Sequence, residues 1–275
     1  MPQVINTNIA SINAQRNLNS SQNALYTSLQ RLSSGLRVNS AKDDAAGLAV
    51  AETLTSAVRG NTVAMRNAND GISLGQTAEG ALGQISSNLQ RMREIAVQGA
   101  NAGVDISLLK PEMDELQAEI KRIVDSTEFN GTQLLDGTGG TLTFQIGSNN
   151  QASHQLTVTT GSMKTGGSAS LVTYAAVTFT TQTNAQSLIG IIDTDLTTVT
   201  TQRSKFGAVQ NRFEAVVANL QNYNENLTAA KSRIMDADYA AETANMTRGQ
   251  ILQQAGVAML SQANALPQNV LTLLR

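Results

Sequence analysis

Between Leu196 and Leu227 the seam residues Leu196, Val199, Arg203, Phe206, Gln210, Phe213, Val217, Leu220, Asn224 and Leu227 recur at alternating spacings of three and four. Such a pattern keeps one face of a helix against another helix along its whole length, so it commits the chain to long paired helices. Arg203, Gln210 and Asn224 are polar members of the seam, of the kind that fixes register or partner at some cost in stability.

The same spacing returns at both ends. Leu252, Gly256, Met259, Ala263, Leu266, Val270 and Leu273 form a second seam, in which the small Gly256 and Ala263 admit close helix approach. Pro267 demands a kink there or an early end to regular hydrogen bonding. The N-terminal flank carries Ile5, Ile9 and Ile12, then Leu25, Leu29, Leu32 and Leu36, and the phase slip between the two sets predicts a stutter. After Ser33 to Asp44 the pattern resumes with Val58, Met65 and Ile72, then Leu82, Ile85, Leu89, Met92 and Ala96. A helix from about residue 45 to 98 would run about 80 Å at ~1.5 Å per residue. A shorter one follows, with Pro111 near its first turn, Glu112, Asp114 and Glu115 near its positive end, and Met113, Leu116, Ile120 and Ile123 on one face.

Composition agrees with helices packed through small and aliphatic residues. Charged residues are 15%, aromatics 3% and Trp is absent, leaving few large side chains for a broad globular core. The 275 residues suffice for a core without staples. Zero Cys excludes disulfides, thiolate metal sites and a Cys nucleophile. A net charge of -2 offers no global attraction to nucleic acid or an anionic membrane, and no apolar run is long enough to span a bilayer. The first residues lack a basic leader and an apolar h-region, so export would need a route other than a cleaved signal.

From Gly137 to Ile192 the one charged side chain is Lys164. Thr141 to Ile146 and Gln155 to Thr160 alternate apolar and polar residues around Gly147-Ser148-Asn149-Asn150, which reads as a hairpin, and Tyr174 to Thr181 reads as a further strand. The expected fold is mainly α: a long coiled-coil-like helical bundle from both chain ends, with a small β-hairpin-rich central insertion. The expected segments are 1–44 pairing with 235–275, a bundle of 45–136 and 187–234, and a β-rich region at 137–186.

No catalytic constellation emerges. His154 is the lone His, so no imidazole pair exists for zinc and no base stands near a buried acid for a Ser nucleophile. Asp43-Asp44, Glu112/Asp114/Glu115 and Asp236/Asp238 have simpler readings as helix-start residues, Ser40 with Asp43 as a capping pair. Gly137-Thr138-Gly139-Gly140 lacks the Lys and following helix of a phosphate loop, and Asn130-Gly131 signals a turn. No catalytic, cofactor-binding or metal residue is assigned.

The terminal segments, 1–34 and 235–275, expose apolar stripes that a lone helix pair buries incompletely. They are expected to order poorly in a free monomer and to pack against other copies, a heterologous contact that builds an open fibre. The alternative is that both ends fold back on the central bundle of their own molecule. The assembly residues read from the stripes are Ile5, Ile9, Ile12, Leu25, Leu29, Leu32, Leu252, Gly256, Met259, Ala263, Leu266, Val270 and Leu273.

Three runs carry a resemblance. SGLRVNSAKDDAAGLAVAE at Ser34 to Glu52, LQRMREIAVQGAN at Leu89 to Asn101, and the C-terminal run from Lys231 to Arg275 resemble bacterial flagellins, with Met235 standing where an acidic residue is usual. The likeness covers both flanks, roughly Met1 to Leu135 and Ser187 to Arg275. It implies an extracellular flagellar filament subunit, a homo-oligomer exported unfolded through the flagellar type III channel. The implied partners are the filament cap, junction proteins, an export chaperone and a host Toll-like receptor. The receptor motif resembles Gln90, Arg91, Arg93, Glu94 and Ile95, with Glu119 in the matching QAEI run. Competing readings are a hook-filament junction protein and, from another class, a generic coiled-coil tether.

Overall fold

The computed structural model describes residues 7–272 apart from 165 and 176, with side chains described as far as 265 at the C-terminal end. In chain order the described residues form α1 (Ile9–Ser34), α2 (Ala45–Gly99), α3 (Ile106–Ser126), β1 (Glu128–Phe129), β2 (Thr132–Gln133), β3 (Thr141–Gln145), β4 (Gln155–Thr159), α4 (Gln182–Met235) and α5 (Tyr239–Thr272). Short 3-10 turns occupy Ala152–His154 and Val172–Tyr174. This is the expected mainly α fold with a small β insertion. The chain divides into two units, 1–56 with 226–275, and 57–225. The helices α2 and α4 each contribute to both.

Carboxylates start three of the helices, α2, α3 and α5. Asp44 Oδ1 accepts from the Gly47 N–H at 2.8 Å, Asp105 from Ser107 at 2.9 Å and Asp238 from Ala240 at 2.8 Å, each satisfying one of the free donors of a first turn. Two sequence expectations change here. Asp44, not the Ser40–Asp43 pair, caps α2; Asp43 instead closes the preceding loop by accepting from the Ser40 N–H at 2.9 Å. Likewise α3 begins five residues before Pro111, so Pro111 and the acids Glu112, Asp114 and Glu115 lie inside the helix, past its first turn.

In the 57–225 unit the inward seam of α2 is Asn61, Ala64, Ala68, Gly71, Gly75, Ala78, Leu82, Ile85, Leu89, Met92, Ala96 and Gly99, an unbroken alternation of three and four, with Leu74 and Ile95 buried beside it. Its C-terminal half is the predicted seam. Its N-terminal half is not: Met65 and Ile72 lie half-buried at the flank. Small residues occupy that seam because α4 presents large ones. A Cβ on Gly71 would stand 2.4 Å from Phe213 Cζ, and one on Gly75 would stand 2.9 Å from Gln210 Cγ.

The predicted α4 seam is borne out at Val199, Phe206, Phe213 and Leu220, all buried. α3 adds Met113, Ile120, Ile123 and Val124 to the same core.

The middle region shares this core. β3 and β4 pair antiparallel with Thr141 opposite Thr159 and Gln145 opposite Gln155, and Phe144 meets Phe213 edge to face with ring centroids 5.4 Å apart. Leu156, Val158, Met163, Leu171 and Phe179 are buried with them.

The strand expected at Tyr174 to Thr181 is absent among the described residues. Side chains take the hydrogen bonds a neighbouring strand would have taken. The Asp195 carboxylate accepts from the Val172 N–H at 2.9 Å, the Thr173 N–H at 2.8 Å and the Thr173 hydroxyl at 2.6 Å. Gln117 donates to the carbonyls of Thr173 and Ala175, and Phe179 packs over Gly99.

Candidate functional site

In the unit of 1–56 with 226–275, α1 and α5 run antiparallel: Leu25 meets Gly249, Leu18 meets Gly256, and Asn8 Nδ2 donates to the Ala263 carbonyl at 2.8 Å. The α1 face is Ser11, Ala14, Leu18, Ser21, Leu25, Ser28, Leu32 and Gly35, and the α5 face is Glu242, Met246, Gly249, Gln253, Gly256, Leu260 and Ala263. Both alternate by three and four without a break, so α1 contains no stutter among its described residues. A Cβ on Gly249 or Gly256 would stand 3.3 or 3.1 Å from the nearest atom of Leu25 or Leu18. Glycine therefore sets how closely the helices approach by seating Leu25 and Leu18, while further large apolar residues turn outward.

This sorts the predicted assembly residues into two groups. Leu25, Leu32, Gly256 and Ala263 lie on the intramolecular seam. Ile9 (65% exposed), Ile12 (46%), Leu29 (52%), Leu252 (51%) and Met259 (65%) lie off it, joined by Tyr26, Ile251 and Val257. Ile5 and Leu273 fall outside the described residues, and Leu266 and Val270 lie on α5 beyond its described side chains. The coil thus packs leucines against small residues internally and presents further apolar flanks to solvent, an unusual surface for an isolated protein.

A clip closes one end of this unit. α1 stops at Gly35, whose φ of +72° makes the left-handed helix end that favours glycine. Leu36 and Asp236 then pair as an isolated bridge, the Arg37 N–H donates to the Met235 carbonyl at 2.6 Å, and the Ala237 N–H to the Gly35 carbonyl at 3.0 Å. The Arg37 guanidinium donates to the Ile234 carbonyl at 2.7 Å, satisfying a free carbonyl at the end of α4.

A separate charged face lies on α2 and α3. Gln90, Arg91, Arg93 and Glu94 are exposed there and Glu119 is half-buried. Arg91 donates to Glu112 at 2.7 Å and to Glu94 at 2.8 Å, Arg93 to Asp193 at 2.7 Å, and Arg122 to Glu119 at 2.7 and 2.6 Å. Hydrogen bonding to Glu112 and then Glu94 raises the Arg91 pKa above its ordinary value, and Arg122 holds the Glu119 carboxyl below the usual carboxylate range. Gln90, Arg93, Glu94 and Val97 line one shallow groove. Ile95 is the exception: at 1% exposure it belongs to the core, because its position on α2 falls on the face that packs inward.

Among the described residues no group of three or more His, Cys, Asp or Glu could hold a metal ion, and no helix is long and apolar enough to cross a membrane. His154 Nδ1 accepts from the Asn149 N–H at 3.2 Å within the β3–β4 loop. Lys164 bridges Asp125 at 3.0 Å and Asp136 at 3.5 Å.

The model of the bacterial flagellin N-terminal helical region matches residues 5–140, and that of the flagellin C-terminal helical region matches residues 189–274. The flagellin of Halalkalibacterium halodurans is 48% identical over 275 residues, spanning 99% of this chain and 100% of that one. The chain belongs to the bacterial flagellin family. The flagellin of Bacillus subtilis is 42% identical, spanning 98% of this chain and 99% of its own. The crystal structure of Bacillus cereus flagellin superposes with a TM-score of 0.51 at 30% identity, covering 60% of this chain and 94% of that one. A putative flagellar hook-associated protein of Vibrio parahaemolyticus superposes at 0.58 over 70% of this chain and 100% of its own, and at 14% identity shares the fold. As a flagellin, the chain is a structural subunit of the extracellular flagellar filament and not an enzyme. The sequence pattern marked Gly256 and Ala263 as seam residues but not Gly249, Gly71 or Gly75, which large apolar neighbours outweighed; the seven-residue spacing of Gly249, Gly256 and Ala263 was the signal for the first of these.

Proposed function

We propose that filament growth is driven by the outward apolar flanks of the α1·α5 coil. The observation that carries this reading is that Ile9, Ile12, Leu29, Leu252 and Met259 stand about half or more exposed on a paired coil, so their burial awaits other copies. In that polymer residues 1–44 and 235–275 form the inner tube, 45–136 and 187–234 the bundle around it, and 137–186 the outward region. Burying the part of each flank residue still exposed stabilises the contact by roughly 1 kcal/mol, and repetition along a heterologous interface gives an open filament. The subunit travels unfolded through the type III channel with an export chaperone and adds at the tip beneath the cap, beyond the junction proteins. Full-length identity to flagellins supports this over a junction protein. Removing residues 252–275 is expected to leave a soluble, helical monomer; long filaments of that truncation by electron microscopy would refute the role given to the coil.

A second reading concerns the monomer. The exposed Gln90, Arg91, Arg93 and Glu94, with the half-buried Glu119, form the surface read by a host Toll-like receptor, Arg91 leading because its planar guanidinium makes bidentate hydrogen bonds and is already held by two acids. Ile95 acts only through helix packing. In a receptor-reporter assay Arg91→Ala monomer is expected to lose most of its signal; full signalling would remove Arg91 from the contact.

A further inference from the structure

Asn130 and Gly131 form the two-residue loop between β1 and β2, where Phe129 stands opposite Thr132 and Glu128 opposite Gln133. Their φ values are +50° and +76°, the left-handed geometry of a type I′ turn. Among the described residues Asn130 is the one non-glycine residue with positive φ. Both residues are exposed, and a Cβ on Gly131 would meet nothing within 4 Å. The pair is also the sole Asn-Gly step in the sequence.

We propose that Asn130 is a site of spontaneous modification, at which water converts the side chain through a cyclic imide to aspartate and isoaspartate. The Gly131 amide gives its proton to hydroxide, and its nitrogen attacks Asn130 Cγ. The new N–Cγ bond closes a five-membered ring, the Cγ–Nδ2 bond breaks, and Nδ2 leaves as ammonia after taking a proton from water. A second water opens the imide at either carbonyl and leaves a carboxylate. The net reaction consumes one water and releases one ammonia, with no oxidant, metal or enzyme. A side chain on the following residue would crowd the attacking nitrogen, and glycine supplies none. The nitrogen reaches Cγ as the turn opens, which is easy because each strand of this hairpin is two residues long.

The conversion changes the surface in two ways. Asn130 lines a groove with Asp70, Phe129, Leu142 and Phe144, so one carboxylate there becomes two. Isoaspartate also inserts a methylene into the main chain of a loop whose length sets the register. That register leads to Leu134, whose N–H donates to the Thr127 carbonyl at 3.0 Å and whose side chain is fully buried.

The test is to hold the purified full-length chain in mildly alkaline buffer, digest samples with trypsin over time, and fragment the peptide from Ile123 to Lys164. The expected result is a one-dalton gain at Asn130, several-fold faster than at Asn149 and Asn150 in the same peptide, with isoaspartate reported by isoaspartyl methyltransferase. Conversion at Asn130 no faster than at those two would overturn the proposal. Asn130→Asp carries the charge without the extra methylene. It is expected to keep the hydrogen-exchange protection of Leu134 that aged protein loses, and equal loss in both would overturn the isoaspartate part.

Discussion

Lys164 carries the one formal charge between Gly137 and Ile192, and the fold sets it between Asp125 and Asp136. Asp136 is nearly buried. Burial alone would raise its pKa, but the Thr138 hydroxyl and N–H and the Lys164 ammonium hold it below the ordinary 3.8. The unfolded chain therefore binds more protons than the native one just below that value. The stabilisation is complete above pH 3.8 and is lost as pH falls through the lower native pKa. The urea midpoint by circular dichroism should drop over that window, and Asp136→Asn should flatten the part of the drop that belongs to this group. Composition made Lys164 conspicuous but could not say where it would go. Asp125 lies 39 residues earlier in the chain, and Asp195 and Gln117 hold the 172–175 turn across separations of 22 and 56 residues. Local pattern carries no information on such pairs.

At the scale of the helix, periodicity was readable where the buried residues are large and unreadable where they are small. α4 declared itself through Val199, Phe206, Phe213 and Leu220. The facing half of α2 buries Asn61, Ala64, Ala68, Gly71 and Gly75, which hydropathy does not distinguish from a solvent face. Its half-buried Met65 and Ile72 drew the reading to the wrong side. The two kinds of glycine in α2 should answer differently to the same change. Gly71→Ala forces a methyl against the Phe213 ring and should cost about 1–3 kcal/mol. Gly80 meets nothing within 4 Å, so Gly80→Ala should stabilise the monomer by roughly 0.5–1 kcal/mol through helix propensity alone. Thermal melts of the two variants, read against the parent, check both signs.

For the whole molecule, family, fold class and the pairing of the two ends were legible from the flanks, while the division of their stripes between the α1–α5 seam and the outward flanks was not, because it depends on Gly249 and Gly256 seating Leu25 and Leu18. The joints at residues 35–37 and 234–237 are tied to each other by backbone hydrogen bonds and by Arg37. Arg37→Ala removes the side-chain part, worth about 1.5–3 kcal/mol for a charged donor. It should lower hydrogen-exchange protection at 35–37 and 234–237 while leaving the core of the 57–225 unit protected. Unchanged exchange at the joints would mean the backbone bridge alone suffices. Arg37 and Arg233 are 196 residues apart in sequence, yet the clip brings them together, so everything between them is a loop whose two feet are fastened. Residues can be added to or removed from the middle of such a loop without shifting α1 against α5, because slack beyond a fastened base does not pull on what lies behind it. The chain is in this sense a cassette holder: its ends keep time with one another whatever length is carried between them.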